Sequence, residues 1–132
     1  MTTPLFERVS LLGIGLIGSS IALSLRRGTL ARHIAIYSRR QETLNRAHTL
    51  GLGDSYHTDA ADTVTNADLV IFCVPLGANA ALIKDCARSL AQGTIVSDVG
   101  SCKRSVINDL APHLPDHTVF VPAHPVAGTE NS

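Results

Sequence analysis

The chain of 132 residues predicts an α/β domain, a doubly wound parallel sheet covered by helices on both faces. Three observations carry this. The apolar segment Val9-Ser-Leu-Leu12 runs straight into Gly13-x-Gly15-x-x-Gly18, and an apolar segment of helical length follows. Strand-length and helix-length segments then alternate to the end of the chain. The stretch Asp68-Leu-Val-Ile-Phe-Cys-Val-Pro75 is apolar without alternation, as a parallel strand buried on both faces must be.

Each element follows from local pattern. Residues 9–12 read as a first strand and 16–27 as its helix, with Gly28 as the stop. His33-Ile-Ala-Ile-Tyr37 is the second strand. A helix over 41–50 places Leu44, Ala47 and Leu50 at helical spacing, and Gly51 ends it. Residues 53–58 carry a weak signal for a short strand. Asp59 has the chemistry of an N-cap for a short helix over 60–66. After the apolar strand within 68–75 come a helix over 78–90, a strand over 94–98, a helix over 103–110 and a strand over 118–121. The chain ends in a loop at Gly128-Thr-Glu-Asn-Ser132, which leads to the expectation of a truncated protein or an isolated N-terminal domain.

Composition narrows the function classes. Formal net charge is zero, so a generally basic nucleic-acid surface is not expected. The longest apolar runs are strand-length, so no membrane span is expected. Met1-Thr-Thr-Pro-Leu-Phe-Glu7 has neither the basic nor the apolar region of a secretory leader. The three cysteines, Cys73, Cys86 and Cys102, form no CxxC and are odd in number, as suits a reduced, cytoplasmic protein. No His/Cys/Asp group has metal-ligand spacing, so no metal is expected.

The glycine pattern, set between strand and helix, is the dinucleotide-binding fingerprint of Rossmann-type domains. Gly13 makes the tight turn. Gly15 lacks a Cβ, so the backbone can approach a pyrophosphate. Gly18 lets the helix pack on the strand. Leu16 and Ile17 open the helix, whose N–H groups and positive dipole end face the phosphates. Ligands of such sheets lie outside the carboxyl ends of the strands, which brings in Val74 and Pro75 after one strand and Asp98 at the end of another. Cofactor choice rests on the end of the second strand. An acidic residue there bonds the ribose hydroxyls of NAD; here Ser38 stands in its place, followed by Arg39 and Arg40. A hydroxyl donor and two guanidinium groups suit a 2′-phosphate, so NADP is the preferred cofactor, with use of NAD left open. The alternative is a solvated arginine pair, although the helix dipole does not favour cations at that position.

Two segments at strand ends can carry chemistry, Ser97-Asp-Val-Gly-Ser-Cys-Lys103 and Pro122-Ala-His-Pro-Val-Ala-Gly-Thr-Glu-Asn-Ser132. Ser101 has two readings, a helix N-cap or a site residue. His124 is held extended by Pro125, and a neutral imidazole there can take a hydroxyl proton near neutral pH. His33, His48, His57, His113 and His117 are read as having no chemical role.

Leu-Gly-Ile-Gly-Leu-Ile-Gly-Ser-Ser, Asp-Val-Gly-Ser-Cys-Lys and His-Pro-Val-Ala-Gly-Thr-Glu-Asn together resemble the prephenate/arogenate (cyclohexadienyl) dehydrogenase family, over 9–132. The last motif is the most specific, because generic dinucleotide domains lack it. The resemblance implies a nucleotide-binding domain spanning 1–132, followed in the family by a helical domain, absent here, that supplies dimerisation and much of the substrate pocket. It implies oxidative decarboxylation of prephenate or arogenate in tyrosine biosynthesis. His124 would bond the substrate's ring hydroxyl and assist its deprotonation, and Ser101 would help position both. Glu130, with Thr129 and Lys103, would line or gate the substrate pocket. Two departures stand out: Cys102 replaces the valine of Gly-Ser-Val-Lys, and the family's substrate-binding arginine has no counterpart. A small hydrophobe for another is of little consequence. The missing second domain leads to the expectation that the chain alone binds cofactor but turns over poorly. Other readings are a different reductase of this fold, such as a hydroxyacid or imine reductase, and a non-catalytic dinucleotide-binding regulatory module.

Overall fold

The computed structural model describes residues 3–99 and 103–122, with backbone alone at 76 and 103–105. The elements run β1 (Phe6–Leu12), α1 (Leu16–Arg27), β2 (Ala31–Tyr37), α2 (Gln41–Thr49), β3 (Ser55–His57), α3 (Ala60–Val64), β4 (Leu69–Phe72), α4 (Asn79–Cys86), β5 (Ile95–Asp98), α5 (Lys103–Leu110) and β6 (Val119–Phe120). The strands form one sheet in the order β3-β2-β1-β4-β5-β6, and every pairing is parallel. This is the doubly wound arrangement expected from the alternation of elements. The strand order reverses between β1 and β4, which meet with Leu12 opposite Phe72.

Side-chain alternation along β1 assigns its two faces. Val9 and Leu11 join Ala22 and Leu25 of α1, Ile34 and Ile36 of β2, and Leu44 and Ala47 of α2 in one buried cluster. Leu12 joins Val64, Val70, Phe72, Ile83, Val96, Val106 and Leu110 in the other. Each side of the sheet thus has its own apolar layer, and burial of these side chains supplies the main driving force for folding.

Local chemistry sets the helix ends at or near the places read from sequence, although α2 stops at Thr49 and α3 at Val64, short of residues 50 and 66. Gly28 caps α1, its N–H reaching the Ser24 carbonyl at 3.0 Å. Gly51 follows α2 at φ +67°, a conformation glycine adopts without steric cost. The Asp59 carboxylate accepts from the Ala61 N–H at 2.9 Å, so α3 has the side-chain N-cap expected of it. The weak segment around residue 55 is a strand of three residues at the edge of the sheet.

The first two strands begin earlier than expected, at Phe6 and Ala31, and one expected element differs in kind. The single helix over 78–90 is instead a 3-10 turn (Leu76–Ala78), α4, and a second 3-10 turn (Ala87–Ser89). Apolar spacing continues through Cys86 and Leu90, both buried, because a tightened turn still directs Leu90 into the core. The pattern therefore cannot register the change of helix type.

Candidate cofactor site

The glycine turn sits where strand order reverses, at the carboxyl ends of β1 and β4, the place where open α/β sheets bind ligands. Its glycines do three separable things. Gly13 has φ +109°, and a Cβ there would lie 2.8 Å from the Cys73 carbonyl oxygen and 2.9 Å from a Val74 methyl. It must be glycine for both conformation and space. A Cβ on Gly18 would lie 2.7 Å from the Gly13 carbonyl oxygen, so α1 packs this closely only without one. Gly15 has no such constraint: nothing lies within 4 Å of the place its Cβ would take. That open space lies at the start of α1.

The N-terminus of α1 is free of competing anions. Gly15 is its N-cap, no side chain caps it, and its first turn holds no acidic residue. The N–H groups of the first turn have no partner within the helix. Leu16 and Ile17 project outward from this turn, 87% and 47% exposed. Of the turn, Gly13 lines the cleft described next, whereas Gly15, Leu16, Ile17 and Gly18 lie outside its lining.

A cleft of about 660 Å³ extends from Gly13 to the end of β2. Gly13, Ser38, Arg39, Arg40, Val74 and Pro75 line it, joined by Tyr37, Gly77, Ala78, Ala81, Leu82 and Asp85. Sequence reasoning places the first six there and misses the others. Ala78, Ala81, Leu82 and Asp85 recur at helical spacing, so one face of α4 and the turn before it forms the far wall. That stripe mixes small, apolar and acidic residues, so its sequence carries no signal for a pocket.

The rim of this cleft is held by backbone. The Gly13 N–H donates to the Tyr37 carbonyl at 3.0 Å, and the Ser38 N–H donates to the His57 carbonyl at 3.1 Å. The Ser38 hydroxyl accepts from the Arg40 N–H at 3.2 Å. Arg40 lies 3.9 Å from Glu42 in an exposed pair. Burial raises the Tyr37 phenol, helped by the nearby Asp85 carboxylate and opposed by Arg39. Burial also pushes the Cys73 thiol up to about 12, with a further push from Asp98. Cys73 is therefore an uncharged floor beneath the glycine turn.

Asp98 is buried at the end of β5, close enough to Cys73 to act on it, and lies outside the residues lining the cleft. Lys103 begins α5. Ser101, His124, Thr129 and Glu130 lie outside the described residues. Among the described residues no group of three His, Cys, Asp or Glu side chains could hold a metal ion, and no helix is long and apolar enough to cross a membrane.

Comparison with known proteins agrees with this geometry. Residues 21–132 match the family model described as prephenate dehydrogenase, nucleotide-binding domain. Cyclohexadienyl dehydrogenase of Zymomonas mobilis is 39% identical over 127 residues, covering 96% of this chain and 43% of the relative. The crystal structure of prephenate dehydrogenase from A. aeolicus in complex with hydroxyphenyl propionate and NAD+ superimposes with a TM-score of 0.81 at 30% identity, over 99% of this chain and 44% of that one. Synechocystis arogenate dehydrogenase gives a TM-score of 0.80 at 27% identity, over 94% of this chain and 42% of that one. The chain spans less than half the length of these relatives. Its glycine turn, sheet order and match over most of its length make it a member of the prephenate dehydrogenase family, corresponding to the family's nucleotide-binding domain.

Proposed function

We propose that this chain is the cofactor-binding part, spanning 1–132, of a nicotinamide-dependent dehydrogenase that oxidatively decarboxylates prephenate, arogenate or both in tyrosine biosynthesis. The observation that carries the reading is the continuity of the cleft. It runs from a glycine turn that a Cβ would block at Gly13 to the hydroxyl and guanidinium groups at Ser38, Arg39 and Arg40.

A dinucleotide fits this path. Backbone N–H groups at Gly15, Leu16 and Ile17 receive the pyrophosphate, and Gly18 keeps α1 close enough to present them. Tyr37, Ala81 and Leu82 offer flat and apolar surface for the adenosine. Ser38, Arg39 and Arg40 receive a 2′-phosphate, which makes NADP the preferred cofactor, with NAD accepted more weakly. A bound nicotinamide would supply the hydride acceptor. His124 takes the proton of the substrate's ring hydroxyl, so that a carbonyl forms as hydride leaves and loss of carbon dioxide aromatises the ring. Ser101 orients that histidine. Thr129, Glu130 and Lys103 shape the approach to the pocket. A following helical domain, as the family resemblance implies, would complete the substrate site and join two copies into a homodimer, in the cytoplasm.

The test is an assay of the protein carrying this chain with NADP or NAD and either substrate. Reduced cofactor and carbon dioxide should form in equal amounts. His124→Asn should abolish both while leaving the cofactor Kd unchanged. Reduced cofactor without carbon dioxide, from either substrate, would overturn the decarboxylating reading.

A further inference from the structure

On the α3 side of the sheet lies a polar cluster that the cofactor path does not use. The Ser55 hydroxyl stands between two histidines, 2.8 Å from His33 Nε2 and 2.9 Å from His57 Nε2. His33 is on β2; Ser55 and His57 begin and end β3. Arg8 of β1 is register partner to His33, and its guanidinium donates to the carbonyls of Asp62 at 3.3 Å and Thr63 at 3.0 Å in α3. Sequence alone assigns neither histidine a role.

We propose that the His33–Ser55–His57 ladder positions the cofactor rim and makes cofactor binding acid-sensitive, by holding β3 so that the His57 carbonyl receives the Ser38 N–H. This rests on the reading of Ser38, Arg39 and Arg40 as the 2′-phosphate site. The route is short: the hydrogen bond from Ser38 N–H to the His57 carbonyl is 3.1 Å long. The edge strand β3 is laddered to β2, and Tyr56 anchors its α2 side through hydroxyl bonds with Gly53 and Ala47; on the α3 side the bond between Ser55 and His33 is the side-chain link from β3 to β2.

The ladder has a proton count built into it. A serine hydroxyl has one proton, so with both rings neutral one ring donates to Ser55 and the other accepts from it. When both rings are imidazolium, both Nε2 atoms are donors and the hydroxyl proton loses its acceptor. Three cations then gather: His33, His57 and Arg8. Asp59 and Asp62 on α3 offset part of this, and Tyr37, register partner to His57, stays neutral. For His57 burial lowers the proton affinity, Arg8 and His33 lower it further, and Asp62 and Asp59 oppose them. A histidine with a lowered value binds protons more readily unfolded than folded. Its contribution is therefore complete above the ordinary histidine range and is lost as pH falls through the folded value.

The test compares the chain with its His33→Gln/His57→Gln variant, whose amides keep neutral hydrogen-bonding groups beside Ser55. NADP affinity is measured by calorimetry between about pH 5 and about pH 8. At the upper end the two should agree within about twofold; at the lower end the wild-type chain should bind about threefold or more weakly than the variant. The titration of the 2′-phosphate itself is common to both and cancels. Urea melts of the chain without cofactor provide a second reading, with His57→Gln alone as the backup variant: wild type should lose stability on acidification and the variant should not. Parallel acid dependence of NADP binding, or of the melts, in wild type and variant overturns the role of the ladder alone. Failure of every chain to bind NADP at the upper pH overturns the 2′-phosphate reading, and the coupling with it.

Discussion

The glycine turn after β1 and the rim after β2 border the same cleft but are fixed by different physics. The turn is fixed by exclusion: backbone atoms stand so close to Gly13 and Gly18 that no side chain fits. The rim is fixed by a few hydrogen bonds, and its charged groups are exposed, with Arg40 and Glu42 at 66% and 82%. The turn can recognise only what every dinucleotide shares, a pyrophosphate. The rim can be rewritten residue by residue at little cost to the fold, which is where a choice between cofactors can reside.

Substitutions should therefore separate stability from affinity. The largest effect falls on the turn. Gly13→Ala should lose about 2–4 kcal/mol in urea unfolding, from a disfavoured φ and a clash with the Cys73 carbonyl. An unchanged midpoint would mean that the β1–β4 junction yields readily. Next comes the rim. Ser38→Asp combined with Arg39→Ala should weaken NADP binding by about 1.5–3 kcal/mol and leave NAD binding equal or better, as read by calorimetry. Equal losses for both cofactors would deny the rim its selectivity.

Gly15→Ala sharpens the comparison, because it lies in the turn but is not packed. Its stability should stay within about 0.5 kcal/mol of wild type while cofactor affinity falls about tenfold. A stability loss as large as that of Gly13→Ala would show that open space at Gly15 is not what the structure implies. Asp59→Ala removes the α3 N-cap and should cost about 1 kcal/mol in urea, without a change in cofactor selectivity. The smallest effect is expected at Arg40→Ala. Its pairing with Glu42 is long and exposed, so stability should change by less than about 0.5 kcal/mol, and NADP affinity should fall less than in Arg39→Ala.

The same contrast explains what could be read from sequence. The glycine turn was fully legible, because steric exclusion acts on residue identity: Gly13, Gly15 and Gly18 each occupy the position their spacing implies. The parallel sheet was legible from apolar runs such as Leu69–Phe72, and the α3 cap from Asp59. The far wall of the cleft was not. Ala78, Ala81 and Asp85 have no property that marks them as lining, and only the approach of α4 to the β2 end makes them so. The same holds for the His33–Ser55–His57 ladder, since its members become neighbours only through the register of β2 and β3. The break in the helix after Cys86 left no trace, because both helix types bury the same side chains. Ser101, His124 and Glu130 belong to motifs legible in sequence, and their positions lie outside the described residues.

Calorimetric titration of the purified chain with NADP and, separately, with NAD tests the cofactor site most directly. Saturable binding of both is expected, with NADP the tighter, and loss of that difference in the Ser38→Asp, Arg39→Ala variant. Tighter binding of NAD would contradict the assignment of the rim to a 2′-phosphate, and binding of neither would contradict the claim that the glycine turn and its cleft form a competent cofactor site.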